Sequence, residues 1–130
     1  MTGRTPTVAV LDDEPPVRRA LQRLLRTAGF DVRLFSTGPD FMAHLDGMDC
    51  LILDLHLPGM SGFDVQDALT DRHSAIPVVV LTGNDTAANR SRSLSHGARA
   101  FLTKPVDDKV LLDALRPLTS ASHASHASGR

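Results

Sequence analysis

Five short aliphatic runs punctuate the chain at nearly even intervals: VAVL at 8–11, DVRLF at 31–35, CLIL at 50–53, PVVVL at 77–81 and RAFL at 99–102. Each is long enough for a strand and too short for a helix, and each is followed by a stretch in which apolar residues recur at helical spacing. Strand and helix in alternation predict an α/β fold, a parallel sheet covered by helices on both faces. For five such units the common solution is a doubly wound (βα)5 sheet with strand order 2-1-3-4-5. In that order the first and third strands are neighbours, flanking the switch point where open α/β sheets bind ligands.

The helical stretches differ in how well they are anchored. Val17, Leu21, Leu24, Leu25 and Ala28 share one face of the first, with Pro15 and Pro16 suited to its opening turn and Gly29 to its end. The second follows Ser36, Thr37 and Gly38, turns Phe41, Met42 and Leu45 inward, and stops at Gly47. The third runs over 62–72 on Phe63, Val65 and Leu69. The fourth, TAANRSRSLSH at 86–96, offers only Ala88 and Leu94 as apolar anchors, with Ser91 and Ser93 between them, so weak docking is expected. The fifth uses Val110, Leu111, Ala114, Leu115 and Leu118, and Pro117 should loosen its last turn. One domain is therefore expected over 7–118, after an N-terminal extension at 1–6. The segment TSASHASHASGR at 119–130 has nothing to bury and reads as a disordered tail or the start of a linker, its His123 and His126 included.

Composition narrows the function. A length of 130 residues allows one core of ordinary size. A net charge of -1 excludes a broad basic surface, so no direct nucleic-acid contact is expected. No run has the apolar length of a signal peptide or a membrane span, which predicts a cytoplasmic protein with no membrane partner. The single cysteine, Cys50, rules out an internal disulfide and reads as a small buried hydrophobe.

Chemistry gathers at the strand ends. The first strand ends in Asp12, Asp13 and Glu14; the third, within LILDLHLPGMSG at 51–62, ends in Asp54. The fourth ends in Thr82 and Gly83, and the fifth is followed by Thr103, Lys104 and Pro105. Taken singly these are a turn, a cap and a solvated lysine. Together, in the predicted order, they meet at one carboxyl-end crevice, where mutual repulsion of the acids calls for a cation. Few protein oxygens with several retained waters suits Mg2+ better than Ca2+. A hydroxyl and an ammonium facing a metal-bound carboxylate make a site for a tetrahedral dianion, a phosphoryl group, and the carboxylate can itself be the nucleophile, forming an aspartyl phosphate.

With VLDD at 10–13, LILDLHLPGMSG at 51–62, PVVVLTG at 77–83 and GARAFLTKP at 97–105, the chain resembles a bacterial two-component response-regulator receiver domain of flavodoxin-like, CheY-like fold. The resemblance covers about residues 7–118, and its specificity lies in four pieces standing in order at the ends of strands 1, 3, 4 and 5. It implies that Asp54 accepts a phosphoryl group from a phosphohistidine on a sensor histidine kinase or phosphotransfer protein. It implies Mg2+ on Asp13, Asp54 and the His56 backbone carbonyl, with Asp12 helping through a water or the outer shell. Lys104 would pair with Asp54 and then with a phosphoryl oxygen, Thr82 would reach another, and the Lys104 to Pro105 bond would be cis. The His56 side chain, Gly83, Asn84 and Pro105 would rim the pocket. Thr82 and Phe101 would switch the surface of helix 4 and strand 5; Phe101 lacks the phenolic hydroxyl of a tyrosine at that place.

The resemblance further implies a signalling switch rather than an enzyme, apart from self-phosphorylation by small donors and self-dephosphorylation. Arg19, Arg23 and Arg26 on one side of helix 1 read as a solvated charged face, with kinase docking as the sharper alternative. The turn at 58–62 and the LTG at 81–83 look like those of receivers joined to helix-turn-helix transcriptional domains of nitrogen-fixation and nitrate-response type, which leaves two alternatives open, a single-domain regulator or a receiver with a DNA-binding effector domain, and admits a phosphorylation-dependent homodimer. Two other readings compete. A Mg2+-dependent phosphohydrolase of the haloacid-dehalogenase type needs a second Asp two residues after its nucleophile, and neither Asp12 nor Asp54 has one. A pseudo-receiver that binds partners unphosphorylated sits poorly with the complete set of acids, Thr82 and Lys104.

Overall fold

The computed structural model describes residues 5–128, with side chains described to residue 119. Five strands and five helices alternate: β1 Thr7–Leu11, α1 Pro15–Thr27, β2 Asp31–Phe35, α2 Gly38–Ala43, β3 Cys50–Leu53, α3 Gly62–Asp71, β4 Val78–Thr82, α4 Ala87–Ser95, β5 Ala100–Thr103 and α5 Asp108–Ser128. All pairings are parallel and the strand order is β2-β1-β3-β4-β5, as the alternation predicts. β4 and β5 sit one residue later than the aliphatic runs suggest. Pro77 has no N–H for the ladder, though its carbonyl accepts from Leu51, so β4 begins at Val78 and ends on Thr82.

The period of two along each strand divides the core. Val8, Val10, Cys50, Ile52, Val79 and Leu81 face one side with Leu21 and Leu25 of α1 and Leu111 and Leu115 of α5. Ala9, Leu11, Leu51, Leu53, Val78 and Val80 face the other with Phe41 and Met42 of α2 and Val65 and Leu69 of α3. Every residue of β3 and β4 is buried, as central parallel strands require.

Three expectations about helices are corrected. α2 ends at Ala43, not at Gly47, because the N–H of His44 turns back to the Phe41 carbonyl; Leu45 packs on the core from outside the helix. In α4 neither Ala88 nor Leu94 is an anchor: both are exposed, Leu94 at 44%, while Ser93 is fully buried. Two residues six apart lie about 240° around a helix axis and cannot share a face. In α5, Val110 is exposed and the inner face is built on Leu111 and Leu115, with Leu112 and Leu118 partly buried against the same cluster. The helical path itself runs through Pro117 to Ser128. Beyond Pro117 there is no further proline or glycine before Gly129, and Ala and Ser allow the helical backbone to carry on. The side chains of His123 and His126 lie outside the described residues.

Candidate functional site

The carboxyl ends of β1 and β3 meet where the strand order reverses. The N–H of Asp54 donates to the Leu11 carbonyl at 3.0 Å and that of Asp12 to the Phe35 carbonyl at 3.1 Å, so the ladder continues just far enough to fix both acids at the crevice floor. Both are buried, Asp54 at 3% exposure, whereas Asp13 and Glu14 are exposed at the rim. One carboxylate oxygen from each of Asp12, Asp13, Glu14 and Asp54 lies within 4.8 Å of the other three. An all-oxygen set of this crowding fits a hard divalent cation such as Mg2+.

Lys104 supplies the positive charge of the cluster. Its Nζ stands 2.7 Å from Asp12 Oδ2, 3.1 Å from Glu14 Oε1 and 3.2 Å from Asp54 Oδ2. Burial opposes its charge, but its hydrogen bond to Asp12 and the attraction of that carboxylate, then the attraction of Asp54 and a hydrogen bond donated to Glu14, outweigh this and hold its pKa above the ordinary lysine value. Burial pushes the Asp12 carboxyl up, against the pull of Lys104 and of the Glu14 N–H, which donates to Asp12 Oδ1 at 2.9 Å. The Lys104 to Pro105 bond is cis.

The loops that hold these groups are tied to the site itself. The His56 N–H donates to Asp54 Oδ1 at 3.2 Å. Gly62 opens α3 against the end of β3; a Cβ there would lie 2.6 Å from the Asp54 carbonyl oxygen and 2.8 Å from the Leu55 Cα, so only glycine allows this approach. A capping box between Ser61 and Asp64 fixes the same turn. Thr82 ends β4, fully buried; its Oγ1 accepts from the Asn84 N–H at 3.3 Å and its carbonyl from the Lys104 N–H at 2.9 Å. Across the mouth, Asn84 Nδ2 and His56 Nε2 are 2.7 Å apart, and Asn89 of α4 donates to the Asn84 carbonyl at 3.0 Å. Gly83 and Pro105 are exposed at the same rim.

Phe101 of β5 lies buried at 5% exposure, on the α2–α3 side of the sheet. The Arg90 guanidinium covers its ring, 4.8 Å from the centroid, and reaches Asp85 at 3.8 Å; Asp85 in turn accepts from the Thr103 hydroxyl at 2.9 Å.

A family model for the response regulator receiver domain matches residues 8–116. The chain belongs to the response-regulator receiver family. It is 35% identical over 118 residues to the response regulator protein TodT of Pseudomonas putida, covering 89% of this chain and 52% of that protein. It is 37% identical over 112 residues to the sensory transduction protein RegX3 of Mycobacterium tuberculosis, covering 85% and 49%. This receiver thus spans about half the length of such curated relatives. Among solved structures, response regulator StyR superposes with a TM-score of 0.84 at 36% identity, covering 97% of this chain and 66% of that one. FixJ-N gives 0.82 at 31% identity, covering 91% and 96%. Members of this family are signalling proteins rather than dedicated enzymes.

Within the receiver, sequence reasoning brought together Asp12, Asp13, Asp54, Thr82 and Lys104 and missed three side chains. Glu14 was noticed as an acid but given no task, although a third acid directly after Asp13 was signal enough to ask what it pairs with. Arg18 donates to the Asp12 carbonyl at 2.6 Å and ties α1 to the acid loop. Arg90 gave no signal, because the ring it covers is on another element.

Proposed function

We propose that this receiver takes a phosphoryl group onto Asp54 from a phosphohistidine of a sensor histidine kinase or phosphotransfer protein. The observation that carries this is the buried Asp54 carboxylate held on both oxygens, Oδ1 by the His56 N–H and Oδ2 by Lys104, on the floor of an acid cluster. An Asp54 oxygen attacks phosphorus; the new O–P bond forms as the P–N bond breaks, and the imidazole nitrogen leaves with the electron pair and is protonated from solvent. Asp13, Asp54 and the His56 carbonyl would hold Mg2+, with Asp12 in support. When bound, the ion offsets the crowded negative charge and stabilises charge on the transferring oxygens. Lys104 and Thr82 then donate to phosphoryl oxygens.

Phe101 is already buried, so the response we infer is a shift of population: drawing Thr82 toward the phosphoryl group favours one packing of Phe101 and α4. The surface of α4 and β5 would carry the signal to a homodimer partner or to a DNA-binding effector domain. We take 7–118 as the receiver body, 1–6 as an extension and 119–130 as a tail or linker start into which α5 continues. A cytoplasmic setting agrees with the absence, among the described residues, of any helix long and apolar enough to cross a membrane.

The test is incubation with acetyl phosphate or phosphoramidate and Mg2+, read by intact mass. One phosphoryl group should be gained, and lost on Asp54→Asn or with chelator. Labelling that persists in Asp54→Asn would overturn the assignment. Phosphate release from generic phosphoesters would instead support a hydrolase.

A further inference from the structure

Glu14 stands at the N-cap position of α1 yet makes no side-chain cap bond to that helix. Its carboxylate reaches Lys104, ninety residues further on, at 3.1 Å. Pro15 follows it and confines its backbone to the extended region, observed at φ -93 and ψ 111, so the reach is not left to a flexible loop. An ammonium has three N–H donors. In this receiver they face three carboxylates, of Asp12, Asp54 and Glu14, so the lysine is saturated before any phosphoryl group arrives.

The three partners are not equally able to let go. Asp12 and Asp54 are buried, and a carboxylate stripped of its lysine there would lack solvation. Glu14 has 59% of its side chain exposed and can turn to water at little cost. We propose that Glu14 is the releasable partner of Lys104, a positioning residue that governs how readily Asp54 is phosphorylated. This rests on the function proposed above. While paired, Glu14 withholds one lysine donor from the incoming phosphoryl oxygens and places a negative charge at the mouth that a dianionic donor must cross. When the phosphoryl group arrives, Glu14 releases its donor and swings to solvent, while Asp12 keeps the lysine at the pocket floor.

The test compares wild type with Glu14→Gln and Glu14→Ala in two ways. In the unphosphorylated protein, the Lys104 ammonium resonance followed by lysine-detected NMR should move in both variants, whether or not phosphoryl transfer occurs. With acetyl phosphate and saturating Mg2+, both should be labelled about two- to fivefold faster at low salt, the size expected for loss of one exposed charge interaction. The gain should shrink as salt rises and be smaller with phosphoramidate, which carries less negative charge. A Lys104 resonance that stays in place overturns the pairing. Labelling that is unchanged or slower in the variants, or a gain insensitive to salt, overturns the governing role. Absence of labelling in wild type, with the resonance shift present, counts against the proposed function and leaves the Glu14 to Lys104 pairing established.

Discussion

α1 and α4 cover opposite faces of the same sheet and are held by different physics. α1 buries Leu21 and Leu25 in the core and lays Val17, Leu24 and Ala28 against it. α4 sends no apolar side chain of its own into either core cluster; Ser93 is its buried residue, and Leu94 points outward. What holds α4 is polar or cationic: Gln66 of α3 donates to the Ser93 carbonyl at 3.1 Å, Arg90 covers Phe101, Arg92 lies 4.0 Å above the centroid of Phe63, and His96 approaches Asp67 at 3.2 Å. Most of these contacts are half exposed and individually weak. An element attached this way opens locally at low free energy while the rest of the fold stays intact. It is also the element that the proposed switch must move.

The largest effect should be seen at Cys50, which lies in the cluster beneath α1. Burial pushes its thiol from the ordinary 9.0 up to about 12. Thiolate is thus depleted by about a thousandfold at neutral pH, and alkylation should wait for opening of the α1 side. The folded pKa is the higher one, so this group costs nothing below pH 9, and stability falls as pH rises from there toward about 12. Alkylation of native protein as fast as of urea-unfolded protein would show that the α1 side is as loose as α4.

Next in size is a matched pair. Leu25→Ala should cost about 2–5 kcal/mol of global stability, the range for a fully buried leucine, while Leu94→Ala should stay within about 0.5 kcal/mol. Urea denaturation measures both, and hydrogen exchange should show α4 amides exchanging about tenfold or more faster than those of α1. Equal costs or equal protection would remove the contrast.

The smallest effect has the opposite sign. Among the described residues, Ser93 Oγ and Gln66 Oε1 are buried polar atoms with no hydrogen-bond partner. Ser93→Ala removes one such atom and improves helix propensity, so it should stabilise the receiver by about 1 kcal/mol and slow α4 exchange toward that of α1. A destabilised Ser93→Ala would mean that the hydroxyl has a partner and that α4 is better fastened than this contrast implies. Ser91 is exposed, and changing it should leave stability within about 0.5 kcal/mol.

The sequence by itself determined the sheet, its order and the residues at its carboxyl ends. Short continuous aliphatic runs such as VVVL and 3.6-residue spacing in α1 are local patterns, and a residue that ends a strand is placed by that strand. Tertiary structure decided what local pattern cannot encode. The carboxylate of Glu14 and the ammonium of Lys104 find each other over ninety residues, Arg90 finds a ring on β5, and α4 docks with Ser93 inward and Leu94 outward, its Ser93 backbone carbonyl accepting from the Gln66 amide. Long charged side chains have many rotamers and no periodic constraint, so their partners are chosen by the surfaces that folding brings within reach.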